Sequence, residues 1–178
     1  MSELVVFTYE QEEKAGQALA AVATLKQENV QKALIGIEDA AVVVKDAKGK
    51  VRVRQTLESV VKGSNVVSGG LWGVLIGFLF GGPLFGALLG MGLSALFGRK
   101  IDIGIDNDFI KRIGDELAPG DSALFLLVND TPVETVADAL KEHGGKLYHT
   151  SFSKEAAAAF TKASEQDEIK EAVAEHNA

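Results

Sequence analysis

Polar and apolar positions keep changing rhythm along this chain, and each rhythm predicts an element. Glu3–Tyr9 (ELVVFTY) is a short run rich in β-formers. From Gln11 to Asn29 the apolar residues fall at Ala15, Ala18, Leu19, Val22 and Leu25, the stripe of a helix. Asp39–Lys45 (DAAVVVK) reads as a second strand, with Asp46 to Gly49 as a turn. Val51, Val53 and Gln55 then alternate with Arg52, Arg54 and Thr56, the period of a half-exposed strand. Between Val66 and Phe97 the rhythm is lost, because no charged side chain interrupts the run.

Past that run the globular pattern returns. Asn107–Leu117 predicts a short helix stopped by Pro119-Gly120, and Ser122–Val128 (SALFLLV) predicts a buried strand. Thr131-Pro132-Val133-Glu134 has the form of a capping box with proline at the first helical position, and that helix should end at Gly144-Gly145. Lys146–Phe152 (KLYHTSF) predicts the last strand. The tail from Lys154 predicts a helix that docks on a neighbour or frays. Strand, helix, strand thus occurs on each side of the uncharged run. The fold class this implies is α+β, a ferredoxin-like sandwich of two βαβ units. Its split domain covers residues 1–62 and 99–152, with residues 63–98 inserted and 153–178 as an acidic helical tail.

The inserted run has its own period. Gly69, Gly73, Gly77 and Gly81 form one ladder; Gly82, Gly86, Gly90, Ser94 and Gly98 form a second. Residues four apart share a helix face, so each ladder is a smooth strip that admits another backbone. Gly81-Gly82-Pro83 marks a turn, giving helices over Ser64–Phe80 and Pro83–Phe97. These would be roughly 22–26 Å long, short against a hydrocarbon core of about 30 Å. A membrane hairpin is one expectation and a buried core in a soluble assembly is the other. Lys62 before the hairpin and Arg99-Lys100 after it put both ends on the cytoplasmic side. Trp72 fits a membrane interface or simple core packing equally well.

Charge and chemistry narrow the function. Net charge is −7, and all of it arises beyond the hairpin: residues 1–62 carry 9 basic and 9 acidic side chains, residues 99–178 carry 9 and 16. An acidic chain with no basic stripe argues against nucleic acid. With no cysteine, thiolate metal sites and cysteine nucleophiles are excluded. His143, His149 and His176 lack carboxylates at metal-ligand spacing, although His143 and His149 could approach one another. Phosphate-loop, dinucleotide and Gly-x-Ser-x-Gly signatures are absent. No catalytic residue, cofactor, metal or small-molecule substrate is predicted. The basic face of Lys50, Arg52 and Arg54 could touch anionic headgroups or protect a sheet edge.

The ELVVFTY strand, the GGLWGVLIGFLFGGPLFGALLG segment and the DSALFLLV strand together resemble a bacterial family of small predicted membrane proteins of unknown function, and more loosely glycine-zipper stress proteins. That resemblance implies no catalytic residue. The resulting expectation is a non-enzymatic, self-associating protein at the inner face of the cytoplasmic membrane, serving scaffolding or a stress response. Its partners would be itself and the bilayer. Helix packing would fall to Gly69, Gly73, Gly77, Gly81, Gly82, Gly86, Gly90 and Ser94, and interface contact to Lys62, Trp72, Arg99 and Lys100. The alternatives are a cytoplasmic homo-oligomer or shell, and a small-ligand regulatory module.

Overall fold

The computed structural model describes residues 2–28, 36–63, 70–99 and 101–177. Five strands form one sheet: β1 (Ser2–Tyr9), β2 (Ile37–Lys45), β3 (Val51–Thr56), β4 (Ser122–Asn129) and β5 (Lys146–Phe152). Their order is β3-β2-β4-β1-β5, every neighbour antiparallel. Each βαβ unit therefore straddles a strand of the other. β1 and β2 flank β4, while β4 and β5 flank β1, which is the ferredoxin-like order with β3 added at one edge. Ser2 pairs with Asn129 and Tyr9 with Ser122, so β1 and β4 run together without a register break.

Alternation along the central strands shows what the sheet needs. Leu124, Leu126 and Val128 of β4 join one core with Val5 and Phe7 of β1. That face is covered by Leu19 and Val22 of α1 (Lys14–Glu28), Leu57 of α2 (Leu57–Lys62) and Val136 and Leu140 of a helix at Val133–Leu140. Ala123, Phe125 and Leu127, with Leu4 and Val6, point the other way into a second core. A strand buried on both faces must be apolar at successive positions, hence SALFLLV. The second face is covered by the inserted hairpin, α3 (Gly70–Phe80) and α4 (Gly82–Phe97), and by the helices that follow, α5 (Asn107–Glu116), α7 (Lys154–Ala163) and α8 (Asp167–Asn177), α6 being the Val133–Leu140 helix.

The hairpin is thus a third layer of the same body. Trp72, Val74, Leu75, Ile76 and Leu79 of α3 are buried, and the Trp72 ring meets Phe125 edge-on at 6.5 Å. Each such side chain contributes about 1.5–3 kcal/mol when removed from water. At 1.5 Å per residue α3 is about 16 Å long and α4 about 24 Å, and no helix among the described residues is long and apolar enough to cross a membrane. The chain reverses at Gly82, whose φ of 78° only glycine adopts freely, with Pro83 in the first turn of α4.

Two local expectations need correction, and a third, the start of α3 at Ser64, lies outside the described residues, among which the helix runs from Gly70. Pro132 is the N-cap of α6 and makes no side-chain capping bond, so Thr131–Glu134 is not a capping box. The tail is two helices, and both dock within the molecule. Phe160 of α7 sits edge-on to Phe78 and Phe152 at 5.8 and 5.7 Å. Lys50 Nζ donates to the Glu175 carbonyl at 2.8 Å, tying α8 to β3.

His176 lies at the end of that contact. Burial holds its pKa below the ordinary 6.5; neighbouring Lys50 and Arg52 add to the depression and the Val51 backbone opposes it. The folded state therefore binds fewer protons than the unfolded one as pH falls below 6.5, so this contribution to stability is present above that pH and lost below it. His176→Gln is expected to flatten the fall in stability on acidification from pH 7 to 5, read by urea titrations at each pH. An unchanged slope would mean that His176 does not couple to folding.

Candidate functional site

Helix α4 carries no charge, yet only one of its faces is covered. Phe85, Leu89 and Leu93 are buried against the rest of the hairpin layer. Leu84 is 87% exposed, Met91 66% and Phe97 37%, which makes three of the five large hydrophobic side chains exposed among the described residues. Pro83, Ala87, Ser94 and Ala95 are exposed or half-exposed beside them. An apolar face of this extent on a folded domain marks an interaction surface more often than a scatter of single residues does.

Alongside this face runs a groove of about 590 Å³, lined by Phe78, Leu89, Leu93, Ile101 and Ile103 together with Gly86, Gly90 and Ser94. Among the described residues, no ionisable side chain lines it. Its far wall is fixed by polar bonds: Ser153 N donates to Ile103 O at 3.1 Å, Ser153 Oγ to Asp102 O at 2.8 Å, and Asp106 N to Thr150 Oγ1 at 3.0 Å.

The two glycine ladders have different surroundings. Gly73 leaves the notch that Val173 of α8 fills, since an added Cβ would lie 2.8 Å from Val173 Cγ1. At Gly77 a Cβ would come under 3.0 Å from three carbons of the Phe85 ring, and at Gly81 it would meet Phe85 Cβ at 2.9 Å. The first ladder is thus occupied from within, and Gly69 lies outside the described residues. At Gly82, Gly86 and Gly90 an added Cβ would have nothing within 4 Å, and Ser94 is exposed.

The residues expected at a membrane interface do not form one set. Trp72 is a core residue, 4% exposed beneath the hairpin. Lys62 is exposed and paired with Glu58 at 2.5 Å, Arg99 is paired with Glu155, and Lys100 lies outside the described residues. Of the described ones, Arg99 is near the open face, at the C-terminus of α4, where Lys162 Nζ also lies 5.5 Å from the Phe97 ring centroid.

Polar clefts exist elsewhere, and each holds a pair of side chains already bonded to one another. Tyr9, Lys14, Glu116, His143 and Lys146 line a cleft of about 380 Å³. There Lys146 Nζ sits 2.9 Å from Glu116. Their bond lowers the Glu116 pKa and raises that of Lys146, so both stay charged as a structural pair. Burial pushes the Tyr9 phenol up to about 12. His149 lies in a different cleft, Nδ1 3.3 Å from Glu3 Oε2, so the two histidines are not brought together. No group of metal-binding side chains occurs among the described residues.

A family model matches residues 66–165, more than half of the 178-residue chain. The chain belongs to the DUF1269 family, described as a protein of unknown function. No curated protein and no solved structure matches it. In this DUF1269 member the match takes in the hairpin, the open α4 face and its groove, and the second βαβ unit through α7. Strands β1 to β3 precede it and α8 follows it. Docking by α8 is the feature that sequence reasoning missed; its signal was Ile169 and Val173, one turn apart on one face of the acidic tail.

Proposed function

We propose that this protein is a non-enzymatic, self-associating module whose contact surface is the outer face of α4. The observation that carries this reading is a charge-free helix exposing Leu84 and Met91 beside open glycine positions. Burying each large side chain contributes about 1.5–3 kcal/mol, and the absence of Cβ atoms at Gly86 and Gly90 lets a second surface approach the backbone. Because the inner side of the hairpin rests on its own sheet, assembly by this route leaves the fold intact.

The test is sedimentation of the wild-type chain across micromolar concentrations, without detergent, against Met91→Glu. The substitution introduces a charge that would have to be buried, and it is expected to weaken association at least about a hundredfold, close to 2.7 kcal/mol, with an unchanged far-UV spectrum. A wild-type chain that stays monomeric at several hundred micromolar would overturn the proposal.

A second reading is favoured by Arg99 and Lys162 at one end of the same face. An apolar strip with cations at one end can lie in the headgroup region of an anionic bilayer without spanning it. On that reading the protein is a peripheral scaffold or stress factor on the cytoplasmic side of the inner membrane. Flotation with anionic but not neutral vesicles, lost in Met91→Glu, would support it.

A further inference from the structure

Helix α8 is fastened to the molecule in two different ways along its length. Its first two turns hold by apolar packing. Ile169 and Val173 are buried there, and they fill glycine notches on both helices of the hairpin. A Cβ added at Gly73 of α3 would lie 2.8 Å from Val173 Cγ1. One added at Gly92 of α4 would lie 3.7 Å from Ile169 Cδ1. The C-terminal end of α8 holds by polar contacts to β3 and the turn before it. Lys50 Nζ donates to the Glu175 carbonyl at 2.8 Å, and His176 lies half-buried against Val51, Lys50 and Arg52.

That polar end is poorly satisfied. His176 Nε2, Arg52 Nε and Asn177 Oδ1 are buried without a hydrogen-bond partner, half of the six such side-chain atoms among the described residues. A charged imidazole donates from both nitrogens, so it needs two acceptors. The Val51 backbone offers one, and Nε2 has none. The charges facing the ring from β3 and its turn, Lys50 and Arg52, have the wrong sign to hold a second proton. Asp46 in the same turn is committed to Arg52 at 3.2 Å and to the Lys48 and Lys50 N–H groups. Arg54, further along β3, is paired with Glu12. Helices α3 and α4 present no charged side chain, and Glu171 and Glu175 of α8 itself are exposed.

We infer that α8 is an acid-released cover: protonation of His176 undocks it from β3 and the hairpin while the sheet stays folded. In the docked state the second proton is buried with no acceptor; once α8 leaves, the charged ring is hydrated. Proton uptake is therefore coupled to release, and the coupling acts below the ordinary histidine pKa. Helix α8 can leave alone, because three residues, Ser164 to Gln166, join it to α7, and it meets the sheet at an edge strand. Terminal elements with few buried apolar contacts open first. Release uncovers Gly73 and Gly92, with Leu88 and Ala95 of the cleft beside Ile169. A monomer would do this as readily as an assembly.

The test is amide hydrogen exchange of the full chain at pH 7 and pH 5, corrected for the intrinsic pH dependence of exchange. Protection of α8 is expected to fall about 3- to 25-fold, the upper figure being the ceiling for a ring of ordinary pKa 6.5 kept neutral while docked. Protection of β4 should not follow it. In His176→Gln, whose amide can still donate to the Val51 backbone, the fall should vanish. Arg52→Gln removes one of the two facing cations without altering α8, so it should keep α8 protected at pH 7 and shrink the fall. Unchanged α8 protection in the wild type would overturn the inference. So would a parallel loss in β4, which would mean global loosening. A fall that persists in His176→Gln, or is undiminished in Arg52→Gln, would assign the proton to another group and overturn it equally.

Discussion

Trp72→Ala is expected to destabilise the protein by about 3–5 kcal/mol, the range for deleting a buried aromatic from a packed core. Trp72 is 4% exposed and edge-on to Phe125, which is itself fully buried at the centre of β4. The substitution would open a cavity where α3 meets the sheet, with Leu75 and Val6 in the same core and few ways to close it. Against a total stability of about 5–15 kcal/mol this is a large share, and it corresponds to a fall in Tm of roughly 6–20 °C for a chain of this size. Urea unfolding in detergent-free buffer is the measurement. Trp72→Phe, which keeps an aromatic ring against Phe125, should lose much less. A loss below about 1 kcal/mol for the alanine variant would mean that the hairpin does not rest on the sheet in solution.

The same substitution made in the two glycine ladders should have opposite signs. Gly77→Ala puts a methyl group against the buried ring of Phe85, under 3.0 Å from three of its carbons. Phe85 is 6% exposed and part of the second core, so the ring has little room to retreat. Overpacking of this kind costs about 1–3 kcal/mol, partly offset by the roughly 1 kcal/mol that alanine gains over glycine inside a helix. At Gly90 the same methyl group enters open space, so only the gain remains, about 1 kcal/mol. Denaturant titration of dilute, monomeric samples should therefore separate the two variants by about 1–3 kcal/mol. Equal effects would show that the ladders are not distinguished by what fills them.

That difference also marks what the sequence could and could not convey. The strand and helix periods, the split between two βαβ units and the turn at Gly81–Pro83 are local signals, and all are visible in the residues themselves. The covering of both sheet faces was visible too, in the unbroken apolar run of SALFLLV, although an apolar hairpin invites a lipid explanation first. Which partner fills a glycine notch is not local. Val173 stands 100 residues from Gly73, and nothing in either segment alone pairs them. Likewise Trp72 reads as an interfacial aromatic or a core aromatic until Phe125 is seen beside it. The candidate surface was half legible: the ladder containing Gly86 and Gly90 stood out, but the groove wall at Ile101 and Ile103 depends on bonds to Thr150 and Ser153.

Strand order has a further consequence for how the chain is made. Both neighbours of β1, namely β4 and β5, lie on the far side of the hairpin in the sequence, and β4 also separates β1 from β2. When the hairpin leaves the ribosome, the sheet face destined to hold it does not yet exist. From Phe97 to the end of β4 at Asn129 there are 32 residues still to emerge, which at about 5–20 residues per second takes roughly 2–6 s. For that interval the most apolar part of the nascent chain has no intramolecular shelter, so a newborn copy must hold its hairpin in reserve for a strand that has not yet emerged.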